Sequence, residues 1–154
     1  MTTRRPVLAV TTGDPSGIGP EVVLKALRDP RVIEACQPVV FGAHEPGEVA
    51  NYPRGRIHAS SGRAAYDAIV AATAATREGR ADALVTAPIN KEAFAAAGLS
   101  WRGHTDLLAH LCGVDDVAML FWSDRPRVVL ATVHIPLRDV PDPLTQARLV
   151  DTIR

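Results

Sequence analysis

Several short clusters in this chain combine residue types that could do chemistry. The first is Thr11-Thr12-Gly13-Asp14-Pro15-Ser16-Gly17-Ile18-Gly19-Pro20-Glu21. It follows the apolar run Val7-Leu8-Ala9-Val10 and precedes a helix-like run over residues 21–27. Glycines let a backbone approach a ligand closely, and the free N–H groups of a helix start attract negative charge. The segment reads either as an anion or cofactor site or as a tight strand-to-helix turn. Gly13, Gly17 and Gly19 do not fit G-x-G-x-x-G spacing, and no Gly-Lys-Ser/Thr follows, which excludes a Walker loop. Asp14, Gly17 and Gly19 are its candidate cleft-lining residues.

Gly103-His104-Thr105-Asp106 falls at another predicted helix start. Free N–H groups, a hydroxyl and an imidazole there could hold a phosphate or carboxylate. The alternative is that Thr105 only caps the helix and His104 lies on the surface. Lys91 follows Thr86-Ala87-Pro88-Ile89-Asn90 and opens a short helix. A lysine in a first turn opposes the helix dipole, so it is either an anion contact or a solvated side chain. His134 ends the apolar run Val128-Val129-Leu130-Ala131-Thr132-Val133. A histidine at a strand end suits a metal ligand or general base, or an ordinary loop position. No second histidine lies at ligand spacing. His110 belongs on the exposed face of its helix, and His44 and His58 carry no assignment. Neither a G-x-S-x-G elbow nor a Cys–His pattern supports acyl transfer.

The elements that must position these residues alternate between strand and helix. Residues 6–12 read as a buried strand, and Pro20 sits at the first position of a helix that Asp29-Pro30 stops. Residues 38–41 form a second strand. Residues 44–60, polar and rich in Pro and Gly, read as a connector. Ser61 can cap a long helix ending at Gly79, with Ala65, Ile69, Ala72 and Thr76 on one face. Residues 83–86 make a third strand, Asn90 caps a short helix, and Thr105 caps another that stops at Gly113. Residues 117–122 and 127–133 make two further strands. The unbroken apolarity of the second suggests parallel packing covered on both faces. Asp142 and Pro143 open a last helix that runs to Arg154 without a stop signal. The pattern predicts an α/β fold with a mostly parallel sheet flanked by helices, three layers deep, whose ligands bind beyond the carboxyl ends of the strands. That rule points at Gly13-Asp14, Thr86-Ala87-Pro88 and His134.

Composition narrows the class. The chain has 154 residues, a hydrophobic fraction of 47% and a formal net charge of zero, as a globular protein does. No Lys/Arg cluster and few aromatics argue against a nucleic-acid partner. No segment is apolar enough for a membrane span and the N-terminus is not a secretory signal. Cys36 and Cys112 show no disulfide or C-x-x-C spacing, which fits a reducing cytoplasm and two small core residues.

Taken in order, Gly13–Glu21, Thr86-Ala87-Pro88-Ile89-Asn90-Lys91, Gly103-His104-Thr105-Asp106 and His134-Ile135-Pro136-Leu137-Arg138 resemble the 4-hydroxythreonine-4-phosphate dehydrogenase family of pyridoxal phosphate synthesis. Ser61-Gly62-Arg63-Ala64-Ala65-Tyr66 fits as well. The resemblance implies a fold like that of isocitrate and isopropylmalate dehydrogenases. It implies NAD-dependent oxidation of 4-hydroxythreonine 4-phosphate, a small phosphorylated hydroxy-amino acid, followed by loss of CO₂. It also implies a divalent metal (Zn, Mg or Co) held by three histidines, and a homodimer. His134 would be a metal ligand, and His104 and Thr105 would contact substrate. Relatives sharing these motifs act on four-carbon sugar-acid phosphates or dihydrodiols. Family members are about twice as long, and their later half supplies the other two histidines and much of the NAD pocket. Residues 1–154 are therefore expected to form a single incomplete α/β region matching the family's N-terminal half, with catalysis by this chain alone in doubt and a non-catalytic fragment as the alternative.

Overall fold

The structure, a computed structural model, describes residues 4–153. They divide into two compact units, Met1–Gly113 and Val114–Arg154.

The first unit is built on three short strands: β1 (Val7–Thr11), β2 (Gln37–Phe41) and β3 (Ala83–Thr86). They form a parallel sheet in the order β2-β1-β3, with Ala9 beside both Val39 and Leu84. Parallel neighbours need crossovers, and helices supply them. After β1 comes α1 (Gly19–Leu27), with proline in its first turn. The expected stop at Asp29-Pro30 is also a start: the Asp29 carboxylate accepts from the Arg31 N–H at 2.9 Å and caps α2 (Pro30–Ala35). The stretch 44–60 is not wholly irregular either. It holds the single turn α3 (Pro46–Val49), where the Glu48 carboxylate accepts from the backbone N–H groups of His44 and Glu45.

The long helix α4 (Ala59–Arg77) starts earlier than the sequence suggested. His58 caps it, its Nδ1 accepting from Ser60 N–H at 3.2 Å, whereas Ser61 is buried inside the first turn. A ring nitrogen can occupy a cap acceptor position as an oxygen does, which a search for Ser, Thr, Asp or Asn caps overlooks. Asn90 caps α5 (Lys91–Ala96) as expected, its Oδ1 accepting from Glu92 and Ala93 N–H at 2.9 and 3.0 Å. α6 spans His104–Cys112, so its cap is Gly103 and Thr105 lies within the first turn. Asp106 fixes that start by accepting from Gly103 N–H, a role that leaves Thr105 free of capping.

α4 covers one face of the sheet, where Ala72 packs with Ala9 and Ala81 amid Val7, Phe41 and Leu84. Its first half packs against α5 and α6 through Ala65, Ile69, Phe94 and Leu107, all buried. On the opposite face Leu8 and Val10 look across a cleft of about 310 Å³ toward Val23, Leu27 and Val32 of α1 and α2. The unit is thus an α/β layered fold with a parallel sheet flanked by helices. Cys36 is buried as expected, but Cys112 is exposed at the end of α6.

The second unit holds β4 (Met119–Phe121), β5 (Val128–Leu130), a 3-10 turn at Leu137–Asp139 and α7 (Gln146–Ile153). Here the expectation of a doubly covered parallel strand fails. β4 and β5 are an antiparallel pair, Leu120 facing Val129, and Leu120 and Phe121 are 52% and 56% exposed. Continuous apolarity says that both faces of a strand are apolar; it does not say which way its neighbour runs. The cap of α7 is likewise not Asp142. Residues 141–145 first make tight turns, and Thr145 Oγ1 accepts from Arg148 N–H at 3.2 Å. Arg148 in turn donates through Nε to the Ala131 carbonyl at 2.9 Å. Among the described residues no helix is long and apolar enough to cross a membrane.

Phe94 is fully buried where α4, α5 and α6 meet. Phe94→Ala is expected to cost about 3–5 kcal/mol, measured as a lowered urea midpoint followed by circular dichroism.

Candidate functional site

The loops that leave β1 and β3 at their carboxyl ends are joined directly. Asp14 N–H donates to the Pro88 carbonyl at 3.0 Å, and Ala87 N–H to that of Thr11 at 3.0 Å. Glycine makes this approach possible. Gly13 has φ +68°, and a Cβ there would lie 2.1 Å from the Pro88 oxygen. Gly19 is as tightly placed, since a Cβ would meet the Thr12 oxygen at 2.0 Å.

The loop is a joint more than an anion cradle. Besides Asp14, Ser16 N–H donates to Asp14 Oδ1 at 2.8 Å and Gly17 N–H to the Asp14 carbonyl at 3.0 Å. Those three amides are committed to Pro88 and to Asp14 itself. The Ser16 hydroxyl donates to Ser61 Oγ at 2.9 Å, and Ser61 donates to the His58 carbonyl at 3.1 Å. The start of α4 is thereby tied to the glycine loop. Nothing in the types and spacing of Ser16 and Ser61 signalled this buried pair; the early cap at His58, which turns Ser61 inward, creates it.

Asp14 is only 5% exposed. Burial pushes its carboxyl above the ordinary carboxylate value, while the Ser16 N–H pulls in the other direction.

Lys91, His104 and Thr105 come together at the starts of α5 and α6. The Lys91 Cε lies 3.8 Å from where a Cβ on Gly103 would stand, so its stem runs beside the α6 cap. Among the described residues Lys91 forms no ion pair. The first-turn N–H groups of α6 have no acceptor within the helix. Asp106 satisfies the two amides just before them, those of Arg102 and Gly103, at 2.5 and 2.9 Å. His104 is half-buried, its Nε2 is shielded from solvent without a partner, and burial lowers its pKa so that it is neutral at pH 7. Thr105 is exposed beside it. A cation, an imidazole, a hydroxyl and a helix start thus share one small region. Gly62 locks its underside: a Cβ would stand 2.0 Å from the Ala93 carbonyl oxygen, so α4 and α5 touch backbone to backbone.

His134 belongs to the second unit. It follows β5 in a left-handed conformation, φ 56°, with an exposed ring. Among the described residues no three His, Cys, Asp or Glu side chains gather to hold a metal. The other histidines serve structure: His44 Nδ1 lies 2.8 Å from the Gly42 carbonyl, His58 caps α4, and His110, exposed, stacks on Trp101 with ring centroids 4.6 Å apart.

The fold and these side chains define an α/β protein with a parallel sheet flanked by helices that presents a lysine, a threonine and a half-buried histidine at two helix starts. The chain belongs to the family described as pyridoxal phosphate biosynthetic protein PdxA, whose model matches residues 19–154. It is 40% identical to a 4-hydroxythreonine-4-phosphate dehydrogenase of Beijerinckia indica over 86% of this chain and 49% of that protein. It is 35% identical to a D-threonate 4-phosphate dehydrogenase of Cupriavidus necator, over 87% and 51%. A crystal structure of a 4-hydroxythreonine-4-phosphate dehydrogenase from Burkholderia phymatum superposes with a TM-score of 0.87 at 32% identity, over 98% of this chain and 57% of that one. The chain spans about half the length of the curated relatives it matches.

Asp14→Asn removes a buried charge and keeps an oxygen for Ser16 N–H. The variant is expected to melt higher than the parent at neutral pH. Because the folded carboxyl has a raised pKa, the gap should be constant above that value and vanish as pH falls below the unfolded value near 3.8. Thermal melts across pH 3.5 to 8 check it.

Proposed function

We propose that this chain forms the substrate-binding wall of a dehydrogenase that oxidises 4-hydroxythreonine 4-phosphate in pyridoxal phosphate synthesis. The observation that carries the reading is the convergence of Lys91, His104, Thr105 and the start of α6. In this reading the substrate's phosphate lies at the α6 start, and the Lys91 ammonium supplies the counter-charge. Thr105 donates its hydroxyl. The neutral His104 ring, whose Nε2 is buried and unpartnered, would reorient to meet the same ligand. Charge-assisted bonds of this kind are the strong ones, about 1.5–3 kcal/mol each. Support for the family's substrate class comes from the names of the relatives.

NAD as hydride acceptor, loss of CO₂ and a divalent metal (Zn, Mg or Co) are proposed from the family resemblance alone. The described residues do not by themselves fit either group. Among the described residues no three potential ligands cluster, and Asp14 takes up the Ser16 and Gly17 amides. His134 is proposed as this chain's single metal ligand. A fold of the isocitrate and isopropylmalate dehydrogenase type, a homodimeric assembly and a cytoplasmic location belong to the same proposal. A second reading, oxidation of a four-carbon sugar-acid phosphate, is favoured by the 35% identity to the D-threonate 4-phosphate enzyme.

The test is an NMR titration of the His104 ring. Without ligand it titrates below 6.5, because burial disfavours its charged form. Inorganic phosphate or 4-hydroxythreonine 4-phosphate is expected to raise that midpoint, and Lys91→Ala to weaken phosphate binding by about tenfold or more, following from the loss of one charge-assisted bond. A His104 midpoint indifferent to both ligands would refute the site. NADH formation is expected to be absent for the chain alone, with or without Zn²⁺ or Mg²⁺, and robust turnover would refute that.

A further inference from the structure

α5 (Lys91–Ala96) is too short a helix to hold its place without support from its neighbours. One loop restrains it from two sides. At its start, the Asp14–Pro88 bond fixes the chain that leads into the Asn90 cap. At its side, Gly62 of α4 stands against the Ala93 carbonyl and the Phe94 amide. The place of Gly62 depends on the first turn of α4. That turn is tied back to the glycine loop by the Ser16–Ser61 bond of 2.9 Å. Both restraints on α5 therefore begin almost side by side, at Asp14 and Ser16.

The two serines are deeply buried, Ser16 at 3% exposure and Ser61 at 0%. Every polar group of Ser16 is used. Its N–H donates to Asp14 Oδ1, its carbonyl accepts from Gly55 N–H at 2.8 Å, and its hydroxyl donates to Ser61. Ser61 passes the tie on to the His58 carbonyl at 3.1 Å. Two apolar groups of the same shape could fill this space with little loss of stability. What the hydroxyl pair adds is direction, because a satisfied buried polar network specifies one arrangement. The helix so directed carries Lys91, whose Cε lies 3.8 Å from where a Cβ on Gly103 would stand.

We infer that Ser16 and Ser61 are positioning residues for Lys91: their bond seats α4 on α5 and so holds the Lys91 side chain beside the α6 start. Both act through Gly62 and Ala93. The effect on affinity rests on the reading of this region as a phosphate site; the effect on the free protein does not.

The test compares the parent with Ser16→Ala, Ser61→Ala and the double variant, first without ligand and then with inorganic phosphate. In the free parent a nuclear Overhauser contact is expected between the Lys91 ε-methylene and the Gly103 α-protons. Each single variant should lose most of that contact and bind phosphate about fivefold more weakly, a size ordinary for substitutions that act on a site through other residues. The double variant should do no worse than either single one, because the same bond is lost in all three. It leaves no orphaned hydroxyl, so it keeps the test open where a single variant fails to fold. Val23→Ala, a buried truncation on α1, should lower the melting temperature and change neither the contact nor phosphate binding. A parent without the contact, variants that keep it in full, losses that multiply in the double variant, or the same loss in Val23→Ala would each overturn the inference. A parent that shows the contact but binds no phosphate overturns the phosphate reading alone, and the contact in the variants still decides the role of the serines.

Discussion

The contact between Gly13 and Pro88 is the constraint on which the first unit's geometry rests. Only a residue without a side chain can sit with positive φ and its α-carbon against that carbonyl. The Asp14–Pro88 hydrogen bond then fixes the exit of β1 to the exit of β3. From there the chain has little freedom. Residues 89 and 90 lead at once to the Asn90 cap, and Lys91 is delivered beside the start of α6. Ser16 and Ser61 bring α4 to the same joint, and Gly62 seats α4 on α5. The side chains that could meet a ligand are placed by backbone contacts behind them.

Much of the first unit was legible in its sequence because punctuation there is local. Pro20, Asn90, Gly79 and Gly113 mark ends that depend on a few neighbouring residues, and the strand over residues 83–86 has the bounds its apolar run suggests. What escaped depends on contacts distant in sequence or on unusual acceptors. The His58 cap uses an imidazole, and Asp29 closes one helix while opening the next. The glycine-rich loop reads equally as a ligand cradle or a tight turn, because its composition is the same whether the Ser16 and Gly17 amides face a ligand or Asp14. Composition records the freedom of a backbone; what that freedom is used for is decided by Pro88, far along the chain.

The second unit was less legible for a different reason. Its apolar strands were read as interior, and they are a short antiparallel ribbon with large side chains in water. A two-stranded ribbon has marginal stability by itself. Its sequence carries the same signal as a buried strand because the signal reports what a surface prefers to touch, and the touching partner lies outside it. His134, the residue there with the most chemical promise, is consequently known by its backbone, left-handed and exposed, more than by its neighbours.

Asp106 changes the electrostatics of the α6 start. Its carboxylate already holds the Arg102 and Gly103 amides, so the positive end of that helix is partly neutralised before any ligand arrives. A second anion approaching the same spot meets a resident negative charge. In the proposed reading, a dianion that reached the Lys91 ammonium and the His104 ring together would offset that repulsion. Under that reading the helix start would act as a threshold, crossed by charge density and reach together.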